Sequence, residues 1–342
     1  MNFTSDNCCG ASPEILAAVA KANEGTVASY GEDAITERLR DLFSRLFERE
    51  VAVFPVISGT AANALALASL VPQHGAIFCH AESHIEVDEC GAVEFHTHGA
   101  RLVSLPGSNG KLAPQTLAEA LAPIQKGSPH HAQPAAVSLT QPTERGAVYL
   151  PDEIAAIAKV ARAAGMRVHM DGARFANAVA RLGASPAELT WRAGVDALSF
   201  GATKNGALGA EAVVFFDPKD ARDFEYRRKK AGHLISKLRF VSAQLQAYLT
   251  DDLWLTNAAR ANALAERLAA GLSARGVEIA GPVDANAVFA ILTEPAAARL
   301  RAAGAQFYDW APAGAGRALV RLVTSFATRQ DDVDAFVALA GP

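Results

Sequence analysis

Two residues placed at the ends of apolar runs could act together on one ligand. In "RVHMDGARFANAV" an apolar run ends in Asp171, and the chain then turns through Gly172 toward Arg174. In "ALSFGATKNGALGAEAVVFF" a second run ends in a turn of Gly, Ala, Thr and Asn that carries Lys204. Alone, Asp171 reads equally well as a helix N-cap with an ion-paired arginine. Together, an amine and a carboxylate at neighbouring strand ends suit pyridoxal 5'-phosphate. The lysine forms a Schiff base with the cofactor aldehyde, and the aspartate keeps the pyridine nitrogen protonated so that the ring accepts electrons from a substrate carbanion. The small neighbours of Lys204 leave clearance for a ring.

Such a cofactor also needs a phosphate cradle and a stacking group. "FPVISGTAANALAL" offers Ser58, Gly59 and Thr60 between an apolar run and a helix of small residues, which aims backbone N–H groups and a helix N-terminus at an anion. "AESHIEVDECGA" offers His84 on a polar turn. Neither segment is diagnostic alone, since strand, Gly-Thr, helix is common in α/β proteins and most lone histidines are structural or exposed.

The elements that would position these groups follow from periodicity. Pro13 after Ser12 opens a helix in "SPEILAAVAKANE" with Ser12 as N-cap, and "DAITERLRDLFSRLFE" forms a second. From residue 51 short apolar strands ("VAVFPV", "AIFC", "LVSL", "AAVSLT", "RVHM", "ALSF", "EAVVFF") alternate with helical segments, one of them starting near Ala173. That alternation predicts a mostly parallel sheet flanked by helices, with ligands at the carboxyl ends of the strands. Long helical patterns follow from about Lys219 to Arg275, and the tail returns to mixed strand and helix. The expected division is a large α/β domain over 1–245 and a smaller α+β domain over 246–342.

Composition sets outer bounds. The 342 residues are 50% hydrophobic and carry a net charge of -4 without a long like-charge run, so neither a nucleic-acid surface nor an acidic tail is indicated and a small-molecule partner is expected. No basic region followed by an apolar one opens the chain, and no apolar run is long enough for a membrane span, which predicts a cytoplasmic protein. Cys8, Cys9, Cys79 and Cys90 show no zinc spacing and are expected to be reduced thiols. HExxH, GxSxG, GxGxxG and P-loop patterns are absent, so metalloprotease, serine hydrolase and nucleotide-dependent readings fall away and no metal is expected.

In order along the chain, "TSDN", "ASYGED", "SGTAAN", "ESHI", "SLTQPTERG", "HMDGARFANA", "SFGATKNGALGAEAVVFF", "DANAVFAIL" and "VRLVTSF" resemble the landmarks of the low-specificity L-threonine aldolases. These are pyridoxal-phosphate lyases of the aminotransferase fold (fold type I) within the β-eliminating lyase group. The resemblance implies retro-aldol cleavage of L-threonine, L-allo-threonine and related β-hydroxy-α-amino acids to glycine and an aldehyde. A phenylserine-type aldolase or another β-eliminating lyase on the same fold is the alternative.

Residue by residue, the resemblance implies that Lys204 is the Schiff-base lysine, that Asp171 pairs with the pyridine nitrogen, and that His84 stacks on the ring. Ser58, Gly59 and Thr60 would hold the phosphate, and Arg174 and Arg321 the substrate carboxylate, with Ser5 assisting. His130 matches a family histidine near the substrate hydroxyl, in a register that neighbouring His131 leaves open by one, so the hydroxyl base is His84 or His130, directly or through water. Tyr30 would face a neighbouring subunit's site, and Arg228 and Lys230 would reach a neighbour's phosphate, in a homotetramer built from dimers. The chain departs from the common Ser-Lys-Gly-Leu around the lysine, having Thr203, Lys204, Asn205 and Gly206.

Overall fold

A computed structural model describes residues 1–341. The strand-rich part forms one sheet from β1 (Ala52–Val56), β2 (Gly75–His80), β3 (Arg101–Leu105), β4 (Gln133–Thr140), β5 (Arg167–Gly172), β6 (Ala197–Gly201) and β7 (Glu211–Phe215), in the order β1-β7-β6-β5-β4-β2-β3. Neighbouring pairs are parallel from β3 across to β6, while β7 is antiparallel to both β6 and β1. β2, β6 and β7 are buried along their whole length, which is why their sequences read as continuous apolar runs rather than alternating ones. Each strand forms where its apolar run predicts.

The helices cover both faces. Helix Gly59–Leu70 is apolar on all sides and buried from Ala61 to Ala68, because it is sandwiched between the sheet and other helices. On β6, the ring of Phe200 packs against Phe43 at 5.2 Å, Trp254 at 5.9 Å and Tyr248 at 6.1 Å, one step before the lysine turn. Each such aromatic pair adds about 1 kcal/mol beyond simple burial, so the end of β6 is firmly seated.

A second sheet, antiparallel in the order β10-β11-β9-β8, is built from β8 (Glu278–Ile279), β9 (Ala287–Thr293), β10 (Tyr308–Pro312) and β11 (Arg317–Val323). The expected division at 245/246 falls inside helix Arg239–Leu249, which packs on helices Pro13–Ala22 and Ala34–Leu46. The change of core occurs along the continuous helix Leu253–Ala274: Trp254 and Ala258 belong to the large core, and Leu264 to Leu272 to the small one. Phe3 is fully buried in the small core against Phe336, and its carbonyl accepts from the Val323 N–H, so the N-terminal segment runs beside β11.

The first helix starts at Pro13 as expected, without the capping bond, and one later helix starts two residues on. Ser12 occupies the N-cap position, yet its hydroxyl makes no capping bond and instead accepts from Asn257 Nδ2 at 2.9 Å. The helix expected near Ala173 starts at Phe175, because the Asp171 carboxylate takes the Ala173 N–H at 3.0 Å and turns the chain there. Among the described residues no helix is long and apolar enough to cross a membrane.

Candidate active site

The carboxyl ends of β4, β5 and β6 lie side by side, with Thr140 opposite Asp171 and Asp171 opposite Ser199. Above them opens a cavity of about 280 Å³ bordered by Ser58, His84, Glu144, Asp171, Arg174 and Lys204. A larger hollow of about 800 Å³, between helices Pro13–Ala22, Ala34–Leu46 and Arg239–Leu249, holds none of the expected residues. The chemistry therefore belongs to the smaller one.

Lys204 sits on the 3-10 turn Thr203–Asn205 that follows β6. Its amine has no hydrogen-bond or ion-pair partner among the described residues. Burial, helped by the Arg174 charge, lowers its proton affinity against the opposing pull of Asp6, Asp171 and Glu211. A desolvated amine of this kind is a ready nucleophile. Beneath it, Glu211 at the start of β7 accepts from the Ala202 N–H at 3.1 Å, and burial pushes its carboxyl up to about 7.

Asp171 is buried, and its Oδ2 accepts from Asn63 Nδ2 at 2.8 Å. The same Asn63 amide donates to Glu89 Oε1 at 2.8 Å, and Glu89 Oε1 lies 2.8 Å from His84 Nδ1. One polar chain thus runs from Asp171 through Asn63 and Glu89 to His84. The Glu89 hydrogen bond outweighs burial and raises the proton affinity of His84.

Helix Gly59–Leu70 begins at the cavity wall. Its first N–H groups have no intrahelical acceptor. The Ser58 hydroxyl caps that of Ala61 at 3.3 Å, and those of Gly59 and Thr60 have no protein acceptor among the described residues. A Cβ added at Gly59 would meet nothing within 4 Å, so open space lies over this turn.

Arg174 is held in a two-point ion pair with Asp6, Nε to Oδ2 at 2.6 Å and Nη2 to Oδ1 at 2.9 Å. Burial works against its charge, but the Asp6 carboxylate overrides this and keeps the guanidinium firmly protonated. Asn286 Nδ2 also donates to Asp6, at 3.0 Å. Arg321 on β11 borders a small hollow of about 20 Å³ together with Arg174 and Glu144. Its Nε is buried without a partner, and one Nη reaches the Thr4 carbonyl at 3.4 Å. Ser5 takes the Asn7 N–H at 3.1 Å, so its neighbour Asp6 is the residue that touches the arginine.

Four other expected residues lie outside the cavity of their own chain. His130 is exposed on the turn that precedes β4, whereas the cavity opens beyond the other end of that strand. Eight residues of strand separate the two ends, roughly 25 Å at about 3.3 Å per residue. His131 is exposed on the same turn, so the other register fares no better. Arg228 is buried, donating to the Pro55 carbonyl at 3.2 Å and to Glu225 at 2.8 Å within its own chain. Tyr30, exposed with φ +58°, meets Lys229 over its ring at 4.2 Å, and Lys230 is exposed.

The structure also brings in residues that sequence reasoning passed over: Asp6, Asn63, Glu89, Glu144 and Glu211. Their signal was present in part. Asp6 lies in "TSDN", Glu144 in "SLTQPTERG" and Glu211 in "GAEAVVFF", each a polar residue at the border of an apolar strand.

Asn63 Oδ1, Glu89 Oε2 and Glu144 Oε2 are buried without partners, as is Arg321 Nε. With the free Lys204 amine and the open helix N-terminus, these groups fit a ligand that carries an aldehyde, a phosphate and a protonatable ring nitrogen.

Comparison with known proteins agrees with this geometry. The family profile of the beta-eliminating lyases matches residues 2–295. A low specificity L-threonine aldolase of Pseudomonas aeruginosa is 47% identical over 317 residues, covering 92% of this chain and 91% of the relative. A solved threonine aldolase of Leishmania major superposes with a TM-score of 0.94 at 28% identity, covering 99% of this chain and 98% of that one. A serine palmitoyltransferase from S. paucimobilis, solved with bound PLP and myriocin, shares the fold with a TM-score of 0.70 at 17% identity over 99% of this chain and 86% of that one.

Proposed function

The chain belongs to the beta-eliminating lyase family, and from that premise we propose that it cleaves L-threonine and L-allo-threonine to glycine and acetaldehyde with pyridoxal 5'-phosphate. The observation that carries this reading is the convergence, in one cavity, of an unpartnered lysine amine, a buried aspartate, an open helix N-terminus and an arginine shared with a second arginine's hollow.

When bound, the cofactor supplies an electron sink for the pair released from the α-carbon. The rest is done by the protein. Lys204 provides the amine for covalent attachment, and its depressed proton affinity keeps it nucleophilic. Asp171, fixed by Asn63 and by the Ala173 N–H, presents a carboxylate to a ring nitrogen. Gly59 and Thr60 offer N–H groups to a phosphate, with the Ser58 hydroxyl completing the turn. His84, steered by Glu89, would be the residue that packs on the cofactor.

Arg174 and Arg321 would clamp the substrate carboxylate, and that grip would select which bond of the α-carbon breaks. Ser5 acts indirectly, by capping the turn that carries Asp6. The exposed Tyr30 and Lys230 meet a neighbouring subunit in a homotetramer built as a dimer of dimers. The four cysteines, all free, suit the reducing cytoplasm.

The test is an absorption spectrum of the purified protein with cofactor, followed by aldehyde release from L-threonine, L-allo-threonine, phenylserine and serine. Acetaldehyde from both threonine isomers supports the reading. Turnover of phenylserine or serine without threonine would replace it with another lyase on this fold.

A further inference from the structure

Cleavage requires a group that removes the proton of the substrate's β-hydroxyl. Within its own chain His130 lies at the far end of β4, and the ring of His84 is held by Glu89 in a pairing that favours its charged form. A carboxyl not considered from the sequence stands in the right place. Glu144 Oε1 accepts from the His84 backbone N–H at 2.8 Å and from the Thr140 hydroxyl at 2.9 Å, while Oε2 is buried and has no partner. Its side chain borders both the cavity of Lys204 and the hollow of Arg174 and Arg321. It therefore lies where the hollow that holds the lysine joins the one that holds the two arginines, alongside a substrate seated across both.

We propose that Glu144 is the catalytic base, with Oε2 taking the β-hydroxyl proton. This assignment rests on the threonine-cleaving reading above. The O–H bond breaks, its proton passes to Oε2, and its electron pair forms the carbonyl of the departing aldehyde. The Cα–Cβ bond breaks with its pair left on the α-carbon, which then takes one proton and is released as glycine. Glu144 returns its proton to solvent.

Glu89 Oε2 is also buried without a partner, but among the buried acids Glu144 alone borders both the lysine cavity and the arginine hollow. Glu89 Oε1 is engaged by both Asn63 and His84 and does not border the arginine hollow, and Glu211 lies on the β7 side of Lys204. Around Glu144 stand His84, Asp171 of β5, Arg174 beyond it, Cys79 of β2 and Tyr149. Burial, then the Asp171 charge, push Glu144 up to about 7, which matches a base working near neutral pH.

The test is Glu144→Gln, which keeps the acceptor for His84 and Thr140 and removes only the base. Glycine has no hydroxyl, so exchange of its α-proton with solvent deuterium, followed by NMR, reports on cofactor and fold without needing Glu144. Cofactor absorbance and glycine exchange should stay within a few-fold of wild type while threonine cleavage falls about 10²–10⁴-fold, the usual range for a general base. The acid limb of kcat/KM near pH 7 should vanish. In the cofactor-free protein, infrared titration should lose one buried carboxyl band relative to wild type. Cleavage within a few-fold of wild type, equal losses of exchange and cleavage, or an unchanged infrared titration would each overturn the assignment. Wild-type protein that exchanges glycine protons yet releases no aldehyde from threonine would instead overturn the threonine reading, and the role of Glu144 with it.

Discussion

The side-chain amide of Asn205 donates to the hydroxyl of Tyr248 across 2.7 Å, one residue past the lysine of the site. The same amide reaches the Trp254 carbonyl at 2.8 Å, and the Asn205 carbonyl accepts from Asn257 at 2.9 Å. Gly206 follows at φ +119°, where an added Cβ would come within 2.3 Å of the Ser12 hydroxyl. Asn-Gly after the lysine thus clamps the turn to three helices, which accounts for the departure from the commoner Gly-Leu.

Asn205→Ala would strand a buried hydroxyl and a buried carbonyl. Each unmade bond of this kind costs about 1–3 kcal/mol, so chemical denaturation of the cofactor-free variant should show a loss of at least that size. An unchanged midpoint would mean that the clamp contributes nothing.

Lys204→Ala should abolish the visible absorbance of covalently held cofactor and nearly all threonine cleavage. Because the amine is desolvated and unpartnered, its removal relieves an electrostatic cost, and the cofactor-free variant should melt no lower than wild type. A yellow, active variant would refute the lysine assignment.

For Arg321→Ala, kcat/KM on threonine should fall about 10–100-fold, the worth of a charged hydrogen bond of about 1.5–3 kcal/mol. Arg321→Lys should recover little of it, since an ammonium lacks the planar fork. If KM and kcat are both unchanged in the alanine variant, the carboxylate clamp lies elsewhere.

Glu211 supplies a pH signature of stability. Its folded carboxyl is raised to about 7 from an unfolded value of 4.5, so the folded state binds the extra proton. Its contribution is full below pH 4.5 and is lost as pH rises through 7. In the cofactor-free protein Glu211→Gln, which cannot ionise, should gain on wild type by about 2 kcal/mol between pH 5 and 8. Parallel stability curves for the two proteins would contradict this.

The sheet was legible in the sequence because fully buried strands must be short apolar runs, and seven such runs punctuated by helical segments allow few other arrangements. Lys204, Asp171 and the Ser58 to Thr60 turn were legible for a related reason: a polar group at the end of a buried strand is costly unless it has a use. That His130 stands away from the cavity of its own chain was not legible, because distance along the chain from "SLTQ" says nothing of which end of β4 a residue occupies. Glu144 was overlooked since an acid in a polar turn looks like an exposed one until its burial is known.

By itself, the sequence determined the order of elements, the residue types at the strand ends and so the class of chemistry, because periodicity and local polarity are properties of neighbouring residues. Only the tertiary structure decided that Asp6 grips Arg174 from 168 positions away, that Asn63 joins Asp171 to Glu89, and that Glu144 keeps a free oxygen between Lys204 and Arg321. Those relations depend on burial and on contacts between distant segments, which come into being when the strands assemble.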